Sequence, residues 1–461
     1  MRSIVFHLLL SVALLQTQLS AADQPNIVFL LADDLGWTGL SSFGSDLYET
    51  PHLDHLASEG MKFTEAYAAC TVCSPTRASI MTGQYPARLH LTDFIAGQVR
   101  PWAKLTVPDW KKGLLHEHKT IAEALKAKGY RTGMVGKWHL NRRGHEKEDA
   151  PIKHGFDVEY QRPPGTRGYL LPKGSDKSYL TDHLTDQAVT FIRESKTEGK
   201  PMFLYMAYNV PHTPIQGRED LVAEFEKRVS ATAVHKNPTY AAMVASLDES
   251  VGRILATLKE ESLSENTLVI FTSDNGGLTQ RYGKHDGFTE NLPLRRGKGS
   301  AYEGGVRVPA IAKWPNIIPP STVCQTPIST TDYFPTLLRA AGHTEGLEVD
   351  GSDLSALFRN PQRSLNRDLF WHYPHYHAGG DGPYSAIRSG SHRLIEFHED
   401  QKLALYDLQS DLGEQTDVSA EHPQLTQALH QKLRDWRARV GAQMPTPNPN
   451  HDPSRAQEVK K

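Results

Sequence analysis

The sequence is short of the features that mark several classes of protein. Its 461 residues include only 3 cysteines, too few for a disulfide framework. Lys and Arg number 51 against 53 Asp and Glu, so the net charge is −2 and no basic excess favours nucleic-acid binding. After Leu15, no apolar run approaches the roughly 18 residues of a membrane span. A hydrophobic content of 38% is instead typical of a folded globular chain.

The N-terminus has the pattern of a signal peptide. Arg2 precedes an apolar run from Ile4 to Leu15, and Ser20-Ala21-Ala22 offers small residues for cleavage. This pattern predicts a signal peptide over residues 1–22 and a secreted or periplasmic protein. An uncleaved N-terminal anchor is the alternative.

Strand and helix patterns alternate over most of the chain. Continuous apolar segments, such as residues 26–32 and 201–208, are typical of strands buried on both faces. Amphipathic segments, such as residues 181–194 and 240–259, predict helices between them. The alternation predicts an α/β fold in which helices sandwich a large, mostly parallel sheet, in a first domain of residues 23–345.

The pattern changes after about residue 345. Four short strand patterns follow one another, and a helix pattern over residues 422–440 closes the region. We therefore predict a smaller C-terminal subdomain of residues 346–440, with an antiparallel sheet and one helix. A Pro- and Asn-rich segment, residues 441–461, is predicted to be a flexible tail.

Polar residues follow the predicted parallel strands, at the edge where an α/β sheet binds ligands. Their carboxylate and amide oxygens suit a hard cation such as Ca²⁺ or Mg²⁺. A turn or helix cap is the alternative for the acidic pair after the first strand, but a second acidic-amide pair after a later strand favours a metal site. The residues are Asp33 and Asp34, Lys137 and His139, His212, and Asp274 and Asn275.

Cys70 and Cys73 have the spacing of a redox or metal-binding pair. The sequence has no second pair that would complete a zinc site. A redox pair normally follows a strand directly, and residues 66–69 are a poor strand pattern. Both observations disfavour the redox and zinc interpretations.

Six segments, in order, resemble the signatures of the type I sulfatases, the arylsulfatase-like members of the alkaline phosphatase superfamily. The resemblance runs from Asn26 to about Arg307 and continues more weakly to Leu408. The first segment is the strand that ends in Asp33-Asp34. The others are CSPTRASIMTG (residues 73–83), GYRTGMVGKWH (129–139), PHTP (211–214), SDNG (273–276) and RGKGSAYEGG (296–305).

The resemblance implies a sulfuric ester hydrolase. In that family a maturation enzyme oxidises the cysteine at the position of Cys73 to Cα-formylglycine (3-oxoalanine). One hydroxyl of the aldehyde hydrate attacks sulfur, and the other then loses its proton and expels sulfate. One Ca²⁺ ion is implied, with the ligands Asp33, Asp34, Asp274, Asn275 and the modified Cys73.

The resemblance also implies a role for each polar residue around the nucleophile. Arg77 would position the hydrate, and Lys137 and Lys298 would bind the sulfate oxygens. His212 would protonate the departing oxygen, and His139 would act on the second hydroxyl of the hydrate. The alternatives are solvated lysines, a structural histidine and an arginine that only caps a helix. Once Cys73 is consumed, Cys70 and Cys324 either form a disulfide or remain free thiols, and we predict free thiols.

Aromatic and polar loop residues favour a sugar as the carrier of the sulfate. Aromatic rings stack on sugar faces, whereas Asp, His and Arg recognise hydroxyls and neighbouring sulfates. We predict an exo-acting enzyme for glycans of the galactose or N-acetylgalactosamine type, with another sulfate ester as the alternative. The candidate substrate-binding residues are Asp93, Arg100, Trp102, His372, His375 and His377.

Two other functions share this architecture. A phosphomonoesterase or phosphodiesterase of the same superfamily would use Ser or Thr with two zinc ions, which a cysteine in a maturation motif and an Asp-Asn pair disfavour. A non-catalytic relative that binds sulfated glycans would have lost catalytic residues, and here the set is intact. An enzyme left unmatured in its host is a third possibility.

Overall fold

The computed structural model describes residues 24–175, 177–280, 287–343 and 348–459, and the predicted signal peptide lies outside them. The strands, in chain order, are β1 (Asn26–Ala32), β2 (Met61–Tyr67), β3 (Leu105–Thr106), β4 (Arg131–Gly136), β5 (Val158–Tyr160), β6 (Met202–Ala207), β7 (Thr267–Ser273), β8 (Arg307–Lys313), β9 (Thr322–Cys324), β10 (Ile328–Ser329), β11 (Leu369–Tyr373), β12 (Tyr384–Ser389), β13 (His392–Phe397), β14 (Lys402–Asp407) and β15 (Thr446–Pro447). The helices are α1 (Pro51–Ser58), α2 (Cys73–Thr82), α3 (Pro86–Leu89), α4 (Ile121–Lys126), α5 (Leu180–Glu198), α6 (Glu219–Glu226), α7 (Pro238–Glu260), α8 (Glu303–Val306), α9 (Tyr333–Ala340), α10 (Ser355–Arg359) and α11 (Pro423–Val440).

A large mixed sheet forms the centre of the molecule. Its strand order is β10-β2-β8-β7-β1-β6-β4-β5, and β9 pairs with the N-terminal half of β2. β1 runs parallel to both β6 and β7, and β6 runs parallel to β4. Among the described strands of this sheet, β8 alone runs against its neighbours. The predicted α/β fold with a large, mostly parallel sheet is confirmed.

The strand β1 shows why its sequence is apolar throughout. Successive side chains of a strand point to opposite faces. Ile27, Phe29 and Leu31 pack in a core with α2, α4, α9 and α10. Val28 and Leu30 pack in a second core with α1, α5, α6 and α7. Helices therefore cover both faces of the sheet, as a parallel sheet requires.

The C-terminal subdomain is an antiparallel meander in the order β11-β12-β13-β14. One face, which includes Trp371 and Tyr384, packs on the loop before α2 and on α8 of the large domain. The other face, which includes Phe370 and Leu394, packs on Trp436 of α11. Segment α10 lies in the core of the large sheet. Leu357 and Phe358 therefore pack with the large sheet, although they belong to the predicted subdomain of residues 346–440.

Two features depart from the sequence prediction. Residues 61–67 form β2, although the sequence immediately after Glu65 is a poor strand pattern, because β8 and β10 pair with Ala66 and Tyr67. The segment predicted to be a flexible tail is instead held against the body, since β15 pairs with β3. Among the residues that the structure describes, no helix has the length and apolarity needed to cross a membrane.

Candidate active site

Four parallel strands end at the same edge of the large sheet and direct polar residues toward one point. β1 and β7 end side by side, with Ala32 opposite Ser273. The chain leaves β1 through Asp34, whose φ of 64° is in the left-handed region, a conformation that is concentrated at functional sites. The residues delivered in this way are Asp33 and Asp34 after β1, Lys137 and His139 after β4, His212 after β6, and Asp274 and Asn275 after β7.

Three carboxylates form the floor of this site and are buried. The Asp34 backbone N–H donates to Asp274 Oδ1 over 3.2 Å. Asn275 Nδ2 donates to Asp34 Oδ1 over 2.8 Å. These contacts tie Asp34 to Asp274 and Asn275, and Asp33 is the neighbour of Asp34 in the chain. The mutual repulsion of the three carboxylates needs compensation by cations.

Three cationic side chains supply that compensation, one for each carboxylate. Arg77, fully buried on α2, donates from Nε to Asp274 Oδ2 over 2.9 Å and from Nη1 to the Lys137 carbonyl over 2.6 Å. Lys137 Nζ lies 2.6 Å from Asp33 Oδ2. Lys298 Nζ lies 2.7 Å from Asp34 Oδ1. The alternatives of solvated lysines and a capping arginine are wrong, because each side chain is engaged at the site.

The cations set the charge of the carboxylates. Burial acts to raise the pKa of Asp33, but Lys137 and the other nearby positive charges outweigh it and hold the pKa well below its usual range. Burial and the Asp33 carboxylate raise the pKa of Asp274 to about 7. The site therefore holds closely spaced acidic groups of unequal basicity, a pattern that is concentrated at functional sites.

Two buried oxygens of the site accept no hydrogen bond from the described residues. They are Asp33 Oδ1 and Asn275 Oδ1, one on each of the neighbouring strand ends. Ligand atoms of Asp33, Asp34 and His212 lie within 4.8 Å of one another. Unpaired buried acceptors need a ligand, and carboxylate and amide oxygens suit a hard divalent cation. The residues therefore fit the predicted metal.

Cys73 begins α2, and its Sγ lies 3.3 Å from His139 Nδ1. Burial raises the pKa of the Cys73 thiol although Lys137 and Lys298 oppose the change. A thiol with a raised pKa is a poor nucleophile at neutral pH. The side chain is therefore placed for chemistry but is not activated as a thiolate.

His139 has a fixed orientation and protonation. Its Nε2 lies 2.6 Å from the Ile95 carbonyl oxygen, which only accepts, so Nε2 carries the proton and Nδ1 is the acceptor that faces Cys73. Burial and the charge of Lys137 lower the pKa of His139 well below its usual value. His139 is therefore a neutral base directed at the position of the nucleophile.

His212 faces the same point from the opposite side. Its Nδ1 donates to the Thr213 carbonyl over 2.7 Å, which leaves Nε2 free, 3.7 Å from Asp34 Oδ2. Tyr169 supports the loop, because its hydroxyl donates to the His212 carbonyl over 2.8 Å. Burial lowers the pKa of His212, although Asp34 opposes the change. The Nε2 atom is the part of this ring that can exchange a proton with a ligand.

Seven of these residues line one cavity of about 550 Å³, which is large enough for a sugar ring with its substituents: Asp33, Asp34, Cys73, Lys137, His139, His212 and Lys298. Arg77, Asp274 and Asn275 are outside the lining and contact it through Lys137 and Asp34, and together with those seven they are called the deep part of the site. A further set of lining side chains, called the outer wall, consists of Phe94, Ile95, Gln98, Asn141, Gln161, Arg162, Tyr169, Asn209, Thr213, Pro214, Leu278 and His377.

Of the six predicted substrate-binding residues, only His377 lines the cavity. Its Nδ1 accepts from the Gly379 N–H over 3.1 Å, and its ring meets Phe94 at 5.9 Å. Arg100 lies behind it, because Arg100 Nη2 donates to the His377 carbonyl over 3.2 Å. Arg100 therefore supports a lining residue and does not itself line the wall.

The other four candidates have structural partners outside the cavity, which corrects the sequence prediction. Asp93 accepts from Tyr373, and His375 pairs with Thr92 over 2.7 Å. His372 lies between Ser385 and Gln443, and Trp102 stacks under Arg455. These residues are of the types that bind sugars, but their side chains form hydrogen bonds and ring contacts within the protein instead.

Sequence reasoning missed most of the outer wall. Gln161 and Arg162 follow β5, a strand of three residues that is too short to give a periodic pattern. Asn209 precedes the predicted PHTP segment, and its position two residues after the end of β6 was an available signal. Three free cysteines, all buried, agree with the predicted free thiols at positions 70 and 324.

A family model described as Sulfatase matches residues 25–343, which is more than half of the chain. The chain belongs to the sulfatase family. A second model, described as the C-terminal part of N-sulphoglucosamine sulphohydrolase, matches residues 297–439. The predicted resemblance is thereby confirmed, and the chain is an enzyme that hydrolyses sulfate esters. The alternative of a non-catalytic relative is set aside.

Individual relatives and solved structures agree with this assignment. The chain is 33% identical to a sulfatase of Formosa agariphila, over 94% of this chain and 92% of the relative. It is 33% identical to the N-acetylgalactosamine-6-sulfatase of Sus scrofa, over 76% and 69%. The crystal structure of Ps i-CgsB in complex with k-i-k-neocarrahexaose superposes on this sulfatase with a TM-score of 0.76, at 28% identity, over 94% of this chain and 96% of that one.

Proposed function

We propose that this sulfatase releases inorganic sulfate from the ends of saccharides of the galactose or N-acetylgalactosamine type, with formylglycine derived from Cys73 and one Ca²⁺ ion. One observation carries the proposal. Cys73 Sγ lies 3.3 Å from a neutral histidine base, inside the cavity in which the carboxylates and cations meet.

The sugar class rests on the relatives and on the shape of the site. One relative is named N-acetylgalactosamine-6-sulfatase, and one structural neighbour was solved with a neocarrahexaose. The cavity has amide, histidine and aromatic side chains in its outer wall, the residue types that recognise sugar hydroxyls and ring faces.

The balance of charge favours a sulfate ester as the ligand. The three carboxylates and the three cations of Arg77, Lys137 and Lys298 cancel formally. A divalent cation bound to Asp33, Asp34, Asp274 and Asn275 would leave the deep part of the site with a net positive charge. A monoanionic sulfate ester reduces that positive charge without reversing it, and the same cation would lower the pKa of a hydroxyl on residue 73.

The remaining residues have roles that follow from their positions. A formylglycine hydrate would supply the hydroxyl that attacks sulfur. Arg77 would fix residue 73 relative to Asp274, and Lys137 and Lys298 would turn from their carboxylates toward the sulfate oxygens. His139 would accept a proton at Nδ1, the atom that faces residue 73. His212 already carries a proton at Nδ1, so it would take up a second one at Nε2 in the loaded site, and this imidazolium would donate the Nε2 proton to the departing sugar oxygen.

Export and maturation complete the proposal. The N-terminal pattern of residues 1–22 supports a secreted or periplasmic enzyme. Cys73 is buried in the folded chain, so a formylglycine-generating enzyme would need to act on it before the chain folds.

A sulfate-release assay on a panel of sulfated saccharides tests the proposal. Matured wild-type protein is expected to release sulfate from saccharides of the galactose type, and Cys73→Ala to release none while unfolding at the wild-type temperature. Cys70→Ala, which removes the neighbouring buried thiol and keeps Cys73, controls for the loss of a buried cysteine and should keep activity. Chelation should abolish activity, and Ca²⁺ should restore it. Restoration by Zn²⁺ alone, or phosphate release in preference to sulfate release, would support the phosphatase alternative.

The role of His212 gives a separate prediction. His212→Ala should reduce kcat for a sulfated sugar by about 100-fold or more, because a sugar alkoxide leaves poorly without a proton. It should reduce kcat for para-nitrophenyl sulfate much less, since nitrophenolate leaves unaided. Release of both leaving groups is followed by steady-state kinetics. An equal loss on both substrates would contradict general-acid catalysis by His212.

A further inference from the structure

The outer wall of the cavity contains one cation that the catalytic account does not use. Arg162 lies two residues after β5 and lines the cavity mouth. Each cation of the deep part lies against a carboxylate, but Arg162 forms no hydrogen bond or ion pair with any residue that the structure describes. Its side chain is exposed, so its charge is available to a ligand.

The outer wall has no described carboxylate that would repel an anion. Its charged and polar members are amides, a threonine, a tyrosine and His377, in addition to Arg162. Asp33 and Asp34, the acidic residues that line the cavity, lie in the deep part and are paired with lysines. An anionic group held at the mouth would therefore meet a positive potential and no opposing charge.

Two amide oxygens of the same wall also lack partners. Gln98 Oε1 and Asn209 Oδ1 are buried and accept no hydrogen bond from the described residues. Both residues line the cavity. A buried acceptor without a donor is unfavourable unless a ligand or water supplies one. A sugar hydroxyl is a donor of the right kind.

We propose that the outer wall is a subsite for a second anionic substituent of the substrate, with Arg162 as the cation that binds it and Gln98 and Asn209 as acceptors from sugar hydroxyls. The inference rests on the proposed function and deepens it, since it assigns a polyanionic saccharide as the substrate class. A second sulfate and a uronic carboxylate share the chemistry that Arg162 recognises, because guanidinium binds both oxyanions in two-pronged geometry.

The test compares substrates that differ in one group. The probes are para-nitrophenyl sulfate, N-acetylgalactosamine with one sulfate at the hydroxyl that the wild-type enzyme desulfates fastest, the same sugar with a second sulfate, and the monosulfated sugar joined to a uronic acid. For Arg162→Gln we expect KM to rise about tenfold on a substrate with a second anion, the size of one charge-assisted contact. On the other two substrates, kcat/KM should stay within about twofold.

Control variants separate the subsite from general damage. Arg167→Gln removes an exposed arginine that lies in the same loop but outside the cavity, and it should leave kcat/KM unchanged on all four probes. Gln98→Met should raise KM for the sugars and not for para-nitrophenyl sulfate. Preference for the disulfated or the uronate substrate identifies the anion.

Two outcomes would overturn the inference. Arg162→Gln could affect substrates with one anion as strongly as those with two, or the wild-type enzyme could gain nothing from a second anion. The failure of the proposed function has a different signature, because matured wild-type enzyme would then release sulfate from none of the four probes.

Discussion

At the scale of single residues, Asp93 is the clearest case of a carboxyl group buried where its charged form is unfavourable. It is fully buried, and its Oδ1 accepts from Tyr373 over 2.8 Å and from the Phe94 N–H over 2.9 Å. Its Oδ2 has no partner among the described residues. Burial therefore raises the pKa of Asp93 to about 7, although these donors oppose the change.

A raised pKa makes the stability of the folded chain depend on pH. Between about pH 4 and pH 7 the folded state holds a proton on Asp93 that the unfolded state has lost, so this contribution to stability falls as pH rises through that range. Asp93→Asn removes the titration. From about pH 5 to pH 8 we expect the wild type to lose about 2 kcal/mol of unfolding free energy relative to the variant. Urea unfolding at both pH values measures the difference, and a gap that does not change with pH would contradict the account.

The contrast between residues that sequence could and could not predict has a physical reason. Cys73, His139 and His212 lie in short segments whose chemistry is local, and the strand ends bring them together. Asp93 and His375 have the same residue types as a sugar site, but their side chains turn toward partners far away in sequence, Tyr373 and Thr92. A side chain's direction is set by packing, which a local pattern does not contain.

At the scale of elements, the C-terminal segment acts as a strap over the loop that precedes β3. β15 pairs with β3, and Asn448 Nδ2 donates to the carbonyls of Pro101 and Ala103 over 2.9 and 2.7 Å. Arg455 lies 4.0 Å from the ring centre of Trp102. Arg100 joins this strap to the cavity wall, because it bonds both Gln457 and the His377 carbonyl.

Removal of the strap should therefore affect both stability and substrate binding. A chain that ends at Met444 loses these hydrogen bonds and the cation–π contact, so its unfolding free energy should fall by about 1 to 3 kcal/mol. KM for a sulfated saccharide should rise, with a smaller change in kcat, since Arg100 loses its bond to Gln457 and holds the His377 carbonyl less firmly. Calorimetry and steady-state kinetics test this. A chain that ends at Glu458 is the control, and wild-type KM in the shorter chain would contradict the role of the strap.

Composition predicts a flexible tail over residues 441–461, because Pro and Asn are frequent in this segment and it has no hydrophobic periodicity. The partners that hold the tail lie far earlier in the chain, since the hydrogen bond from Asn448 to Ala103 spans 345 residues.

The cap of α4, by contrast, depends on residues that are close together in the sequence. Thr120 and Glu123 are three residues apart, the spacing of a capping box, and both of its hydrogen bonds are present.

At the scale of the whole molecule, a buried ion cluster joins the large sheet to the C-terminal sheet. Glu303 on α8 accepts from Arg393 Nη1 of β13 over 2.5 Å and from Tyr67 Oη of β2 over 2.7 Å. Arg307 Nη1 lies 3.3 Å from the same carboxylate. Burial raises the pKa of the neighbouring Glu414 to about 8 although Arg393 opposes the change.

The cluster predicts that removal of the Glu303 charge lowers the unfolding free energy more than removal of an exposed charge does. Glu303→Gln keeps the shape but leaves the buried Arg393 without its main counter-ion, and breaking such a buried pair costs about 3 to 5 kcal/mol. We expect a loss of that order in the unfolding free energy, measured by guanidinium unfolding. Glu194→Gln, which breaks an exposed pair with Arg131, should change stability by less than about 1 kcal/mol. Wild-type stability in Glu303→Gln would contradict this view of the interface.

The overall layout was predictable because alternating strand and helix patterns permit few arrangements of a parallel sheet. The antiparallel direction of β8 could not be predicted, since it depends on how β8 pairs with β7 and β2 rather than on the residues of β8. The same limit applies to the interface, where Glu303 and Arg393 are 90 residues apart.

The central claim is that residue 73 of the matured enzyme carries an aldehyde in place of a thiol. Mass spectrometry of the peptide that contains residue 73, from protein made in a host with the formylglycine-generating enzyme, tests this most directly. The account predicts loss of the sulfur and gain of a carbonyl oxygen at that position, in proportion to the sulfate-releasing activity of each preparation. Fully active enzyme with an unmodified thiol at position 73 would contradict it.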